Sequence, residues 1–319
     1  MDGATPHGRR PLDPAKFRDP DRTATGEARA RVALDRLATL WINTGTLCNL
    51  TCAHCYIESS PRNDLLAYIA AAEVRAYLDE IAARRLGTTE IGFTGGEPFM
   101  NPDIEAMLEE TLARGFRALV LTNAMTPMRR HKAALLRLRD RYGDALVPRV
   151  SVDHYTRALH EVERGAKSWQ PTIDGLVWLA ANGFNINVAG RSLWGESETA
   201  MRAGYARLFA ALGIALDAHD PVQLVLFPEM DATADVPEIT TGCWSILGLS
   251  PGAMMCATSR MVVKRKGAAA PAIVACTLLP YDERFELGAT LAEAARDVPL
   301  NHPHCAKFCV LGGGACSRG

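Results

Sequence analysis

Cys48-Asn49-Leu50-Thr51-Cys52-Ala53-His54-Cys55 sets three thiols within eight residues, on a polar loop that follows the apolar run Thr39 to Thr44. Thiols bunched so tightly suit a metal. Four protein ligands would close a tetrahedral zinc site or an ordinary iron–sulfur cube, whereas three leave one metal corner open to an exogenous ligand. Cysteine is among the most buried residue types, so a trio can also be plain core. Packing thiols would not be expected among Asn49, Thr51 and His54. Structural zinc usually shows two CxxC-like pairs rather than a triplet with unequal gaps.

The chain of 319 residues has room for one large domain, or a large one and a small one. It is 48% hydrophobic and 22% charged, and its 35 basic and 36 acidic residues leave a net charge of -1. Nothing in that balance draws the protein to nucleic acid or to a membrane surface. No apolar run approaches the roughly 18 residues that a membrane span needs, and Met1 to Ala30 lacks the apolar core of a signal peptide. A cytoplasmic location is therefore expected. Nine cysteines in such a chain read as metal ligands or catalytic thiols rather than as a disulfide framework. None lies between Tyr56 and Gly242, and six follow: Cys243, Cys256, Cys276, Cys305, Cys309 and Cys316.

Strand and helix alternate from Thr39 onward. The spacing predicts strands at Thr39–Thr44, Thr89–Phe93, Ala118–Thr122, Arg149–Asp153, Asn185–Ala189 and Val222–Phe227. Between them lie amphipathic segments, the clearest with Asn101 as N-cap, Pro102 at the first position, a stripe of Ile104, Met107, Leu108 and Leu112, and Gly115 as a stop. Six such units in sequence argue for a parallel sheet with helices outside, an α/β fold. Gly26 to Leu37 has weak helical spacing, and residues 1 to about 25, rich in Pro and charge, read as a mobile or loosely docked arm. In the last third only Thr290 to Arg296 has helical spacing, and segments so poor in regular structure are often stapled by metal.

The second predicted strand runs into Thr94-Gly95-Gly96-Glu97-Pro98. Paired glycines let the backbone approach a ligand, Glu97 can accept a hydrogen bond from an ammonium, and Pro98 stiffens the exit. Alone, such a stretch is a turn. Together with CxxxCxxC, flanked at its last cysteine by His54 and Tyr56, it closely resembles the signature of the radical S-adenosylmethionine (SAM) superfamily. The resemblance implies a partial (β/α)6 barrel, a [4Fe-4S] cluster on Cys48, Cys52 and Cys55, and SAM chelating the unique iron beside Tyr56, Thr94, Gly95, Gly96, Glu97 and Pro98. It implies reductive cleavage of SAM to a 5′-deoxyadenosyl radical that abstracts hydrogen from a substrate, with electrons from a reductant such as flavodoxin or ferredoxin.

Softer matches extend it. Thr122-Asn123 and Ser151-Val152-Asp153 resemble the LTN and SLD positions of the branch with C-terminal auxiliary clusters. His160-Glu161-Val162-Glu163-Arg164-Gly165 resembles the segment that offers that branch's arginine to the SAM carboxylate. On this resemblance Asn123, Ser151, Asp153 and Arg164 join the cofactor site; without it, they are polar strand-end residues and a solvated helix-end charge. Arg191 is expected to point at the barrel mouth, and Val188 either packs on adenine or fills the core.

Cys243-x12-Cys256, with Gly252 between, resembles the opening of the SPASM and Twitch extensions, which hold one or two auxiliary [4Fe-4S] clusters. The glycine stands one place closer than usual, the middle cysteines lack a CxxC, and six thiols are one short of a two-cluster SPASM set. All six are expected metal ligands, with His302 or His304 as a possible substitute. The expected division is an arm at 1–37, the barrel at 38–230 and a small, loop-rich, cysteine-rich auxiliary-cluster domain at 231–319. The expected reaction is an oxidation or bond-forming modification of a peptide or small molecule. Asp153, His154, Glu229 and Asp231 stand near strand ends as conceivable bases, and no full leader-binding domain is expected in the short polar stretch before the barrel. The rival is a non-catalytic iron–sulfur or zinc protein that senses redox state or passes electrons. A bare carrier would not require GGEP at a strand end.

Overall fold

The computed structural model describes residues 10–228 and 230–313. The chain divides into two compact units, each discontinuous in sequence.

The larger unit comprises Arg36–Phe227 and Ser259–Ala294. Its strands are β1 (Thr39–Asn43), β2 (Glu90–Thr94), β3 (Arg117–Thr122), β4 (Leu146–Ser151), β5 (Asn187–Ser192), β6 (Leu224–Pro228), β7 (Ser259–Val263), β8 (Ala272–Val274) and β9 (Glu286–Gly288). Among the described residues they form one sheet in the order β9-β8-β7-β1-β2-β3-β4-β5-β6. From β1 to β5 each neighbour is parallel, with Trp41 beside Gly92, Gly92 beside Leu119 and Leu119 beside Val147. A parallel sheet covered on both faces needs apolar residues at consecutive positions, and all five residues of β1 are buried.

The crossovers are α1 (Ala71–Arg84), α2 (Ile104–Ala113), α3 (Lys132–Tyr142), α4 (Arg157–Arg164), α5 (Trp169–Ala181) and α6 (Glu198–Leu212). The stripe of α2 is buried as its spacing predicts. Its predicted cap does double work: Asn101 Oδ1 accepts from Asp103 N–H at 2.8 Å, as a cap should. Asn101 donates from Nδ2 to Thr44 O and Ile69 O, both at 2.9 Å, so the buried amide brackets two loops and the helix begins only at Ile104.

Two sequence expectations change in this unit. β4 starts three residues earlier than its spacing suggests, because Leu146, Val147 and Pro148 pair with Ala118, Leu119 and Val120. Residues 259–294, expected in the C-terminal domain, belong here instead: β7 runs parallel to β1, with Thr39 beside Ser259, and β8 and β9 follow antiparallel.

The second unit is built from the described parts of Met1–Asp35, Pro228–Thr258 and Ala295–Gly319. Where a helix was expected over Gly26–Leu37, Arg31–Val32 is a short strand antiparallel to Val298–Pro299. The described part of the arm is pinned rather than loose. Ala30 donates its N–H to Ile239 O and accepts from Leu300 N–H, both at 2.9 Å, and Leu12 N–H reaches Thr233 O at 2.7 Å. A segment too polar to bury its own core is ordered by backbone bonds to partners more than two hundred residues away in sequence.

Candidate active site at the exit of the first strand

β1 delivers the chain into the cysteine loop, and the loop turns its amides onto its own sulfurs. Leu50 N–H points at Cys48 Sγ and Ser59 N–H at Cys55 Sγ, each at 3.4 Å. Burial pushes the Cys48 thiol up to about 12 and raises that of Cys52, the Arg164 cation opposing the second shift. A bound metal would supply the charge that burial denies these sulfurs.

The glycine pair meets this loop directly. Gly96 N–H donates to Gly45 O at 2.8 Å and Glu97 N–H to Leu47 O at 3.1 Å. A Cβ on Gly95 would stand 2.4 Å from Gly45 O, and one on Gly96 would stand 2.1 Å from Leu47 O. In this structure the close approach that glycine permits is to the backbone leading into the cysteines.

Glu97 is 1% exposed and ties the strand ends together. It accepts from Thr122 Oγ1 and Asn123 N–H, both at 2.8 Å, and from Phe99 N–H at 3.3 Å. Burial lifts its carboxyl from the ordinary 4.5 to about 7 despite those donors. Asn123 in turn donates from Nδ2 to Asn49 Oδ1 at 2.9 Å, inside the cysteine loop. Thr94 O takes two bonds from Thr44, and Pro98 opens a buried turn over Pro98–Met100. Tyr56 and Ser151 are half-buried, beside Cys55 and at the end of β4.

Asp153 and Arg164 form a two-pronged ion pair, the arginine side chain only 12% exposed. Burial alone would raise the Asp153 carboxyl, but the cations of Arg164 and Arg191 outweigh it and hold the group below its usual range. Arg164 also acts electrostatically on Cys52 and Cys48. Nη1 of Arg164 has no partner among the described residues. Val188 is fully buried opposite Val150, as plain core. His154, 1% exposed, leans on Thr156 and Glu196. Glu229 lies outside the described residues.

Two residues of this site carry no local signal of their part in it. In the sequence Glu163 is a spacer before Arg164, yet its buried carboxylate takes the His54 N–H and sits 2.6 Å from His54 Nδ1. Arg191, expected only to face the barrel mouth, donates from Nη1 to His54 O at 2.9 Å. Each partner lies more than a hundred residues upstream, beyond any local pattern.

The remaining cysteines separate. Cys243, Cys256, Cys305 and Cys309 belong to the second unit, at a short helix (Cys243–Leu247), a buried 3-10 turn (Met255–Ala257) and a π-helical turn (Cys305–Val310). Cys276 belongs to the barrel unit, just after β8, and Cys316 lies outside the described residues. Asp231 is in the second unit, bonded to Thr233.

The early donor set fits a cube with one open corner. Three thiols share one loop, and its other side chain able to bind iron, His54, is engaged by Glu163. Among the described residues no three His, Cys, Asp or Glu side chains converge as ligands of a single ion would. A cube takes each thiolate at a separate iron.

A parallel partial barrel whose cysteine loop leaves the C-terminal end of its first strand, locked to a Gly-Gly-Glu turn at the end of the second, defines a metal-cluster enzyme of the α/β class. Residues 42–199 match the Radical SAM superfamily, and the chain belongs to it. The cofactors of that family are a [4Fe-4S] cluster and SAM. The antilisterial bacteriocin subtilosin biosynthesis protein AlbA of Bacillus subtilis is 32% identical over 143 residues, 44% of this chain and 30% of that protein. The mycofactocin maturase MftC of Mycobacterium ulcerans is 28% identical over 137 residues, 43% and 35% of the two chains. The chain thus spans about a third of the length of these relatives. Streptococcus suis SuiB bound to S-adenosylmethionine shares the fold with a TM-score of 0.58 at 13% identity, over 80% of this chain and 64% of that one. No helix among the described residues is long and apolar enough to cross a membrane.

Proposed function

We propose that this chain cleaves SAM reductively and uses the radical to modify a peptide, by oxidation or bond formation, with at least one auxiliary iron–sulfur cluster in the unit that carries Cys243, Cys256, Cys305 and Cys309. The observation that carries the reading is the backbone lock between the Gly95-Gly96-Glu97 turn and the loop of Cys48, Cys52 and Cys55. When bound, the cluster and SAM supply an electron, a sulfonium to split and a 5′-deoxyadenosyl radical that takes hydrogen from the substrate.

The chain's own residues bind and orient. Asp153 fixes the plane of the Arg164 guanidinium, leaving Nη1 for a carboxylate. Glu97 holds the ends of β2 and β3 in register and retains acceptor capacity for an ammonium. Asn123 tethers Asn49 and so steadies the loop between the first two cysteines. A peptide substrate is supported by the kinship with a bacteriocin biosynthesis protein and a maturase. SuiB, which shares the fold, has been crystallised with its precursor peptide SuiA.

Anaerobic reconstitution with iron and sulfide, followed by dithionite and SAM, tests the reading. The expected product is 5′-deoxyadenosine, abolished in Cys48→Ala. A loaded cluster that yields none refutes the enzyme and leaves an electron carrier. Iron near about eight per chain supports an auxiliary cluster, whereas about four removes it.

A further inference from the structure

His54 stands between Cys52 and Cys55 with its side chain 58% exposed, yet each of its backbone polar groups is gripped from elsewhere in the barrel unit. Its N–H donates to Glu163 Oε1 at 3.0 Å, and its C=O accepts from Arg191 Nη1 at 2.9 Å. The preceding Ala53 N–H donates to Glu163 O at 2.8 Å, and His54 Nδ1 lies 2.6 Å from Glu163 Oε2. These grips come from the last turn of α4 and the C-terminal end of β5, where Arg191 N–H also donates to Asp153 O at 2.9 Å. Side-chain exposure is 1% for Glu163 and 11% for Arg191, so theirs is not the weak, screened contact of a surface ion pair.

The grips continue as a chain of alternating charge. Glu163 Oε1 is 3.8 Å from Arg191 Nε, which is 3.6 Å from Asp153 Oδ1, and Asp153 holds Arg164. Two carboxylates and two guanidiniums sum to zero, so the network buries no net charge, while removing any one member strands its neighbour. One end of it is the exposed tip of the cysteine loop; the other is the arginine whose Nη1 faces no described partner. Within the tip itself the backbone bonds are a long one from Cys55 N–H to Cys52 O at 3.4 Å and one from Glu58 N–H to Cys55 O at 2.8 Å, and neither holds a polar group of His54. Fixing the peptide groups between Cys52 and Cys55 fixes the spacing of two ligands.

We infer that Glu163 and Arg191 are positioning residues: they hold the Cys52–Cys55 segment in ligating geometry before iron arrives and join it, through Asp153, to Arg164. The inference rests on reading the cysteine trio as a cluster site, and its first test does not. In the iron-free protein, hydrogen–deuterium exchange at the His54 amide is expected to quicken about tenfold or more in Glu163→Ala, because a charge-assisted hydrogen bond is lost, with α2 and β3 unchanged. Glu163→Gln keeps one acceptor and is expected to fall between. Unchanged exchange at His54 in both variants refutes the clamp, whatever the metal does.

The second test uses the reconstituted protein. Wild type is expected to change its reduced-cluster EPR spectrum when SAM is added. Glu163→Gln and Arg191→Gln are expected to take up less iron, or to hold it and lose that SAM-dependent change. Variants that load iron as wild type does and respond to SAM as wild type does overturn the coupling. A wild type that takes up no iron sinks the cluster reading and the ligating half of this inference together, leaving the exchange result to decide the clamp.

Discussion

Arg164 meets Asp153 with two nitrogens, Nε 2.6 Å from Oδ2 and Nη2 3.2 Å from Oδ1, so one residue of the last turn of α4 is tied to the residue two beyond β4. The geometry is a fork on a carboxylate, which fixes direction as well as distance. A lysine could reach the same charge but not the same plane. The pair is buried, so the guanidinium is held in one orientation rather than sampling several.

Removing one partner should therefore cost more than the pair itself contributes. Arg164→Leu leaves Asp153 buried with only the more distant Arg191, and a loss of about 3–5 kcal/mol in urea-unfolding free energy is expected. The acid side carries a second signature. Because the folded-state pKa of Asp153 is depressed, its contribution is complete above the ordinary aspartate value, near about 3.9, and fades as pH falls toward the lower folded value. The stability gap between wild type and Arg164→Leu should narrow over that descent.

Glu97 should behave in the opposite sense. Its carboxyl is lifted from 4.5 to about 7, chiefly by burial, so the folded protein binds a proton that the unfolded chain releases. Its contribution is complete below 4.5 and is lost as pH climbs through 7. Iron-free wild type is expected to lose stability relative to Glu97→Gln between those limits, read as the difference in thermal midpoint at each pH. The substitution itself should cost about 1–3 kcal/mol, since an amide N–H2 then faces the donors of Thr122, Asn123 or Phe99. A difference flat across the window would mean that the three donors keep Glu97 ionised.

The glycine lock offers a test that separates crowding from backbone strain. Gly96→Ala puts a methyl group 2.1 Å from Leu47 O, so the cysteine loop must move away. Gly213, which ends α6 at φ +66, has nothing within 4 Å of where a Cβ would stand, and Gly213→Ala strains the backbone alone, by about 1–2 kcal/mol. Both should lower the thermal midpoint, but only Gly96→Ala should also fail to retain iron after reconstitution. Equal iron in the two variants would detach the turn from the cluster site.

What the sequence made legible was local. The stripe of Ile104, Met107, Leu108 and Leu112 repeats at the helical period, and Cys48, Cys52 and Cys55 fall within one loop, so both could be read without knowing any partner. What escaped was set by distant pairing. Met261-Val262-Val263 is an apolar run that becomes a sheet strand only because Trp41 and Ile42 lie beside it, some two hundred residues upstream. Glu163 in a charged helix resembles a solvated residue until the loop of His54 folds over it. Asn101 accepts from Asp103 N–H as its residue type predicts, but the two carbonyls of other loops that its Nδ2 also joins, Thr44 O and Ile69 O, left no local sign. Local chemistry proposes a role in each case, and the long-range contact selects among the roles available.

The same logic makes Arg29 the most exacting test of the second unit. Its guanidinium donates to Asp19 O at 2.7 Å, Arg22 O at 2.7 Å and Leu300 O at 3.2 Å, and reaches Glu238 Oε1 at 2.5 Å. One side chain thus gathers the described N-terminal segment, the stretch after the barrel and the C-terminal stretch within a single unit. Glu238 is further bound by the N–H groups of Phe17 and Ala24. Arg29→Met keeps the stem and removes the charge, and a loss of about 3–5 kcal/mol is expected, confined to this unit. Hydrogen exchange should rise across residues 17–30 while α2 and β3 in the barrel unit keep their protection. Burial raises the Glu238 carboxyl, but the donors of Ala24, Arg29 and Phe17 overcome it and hold the group below its usual range. Its share of the stability is therefore present above the ordinary glutamate value and disappears on acidification, and the gap between wild type and Arg29→Met should close as pH falls, because protonating Glu238 removes the charge that the arginine meets.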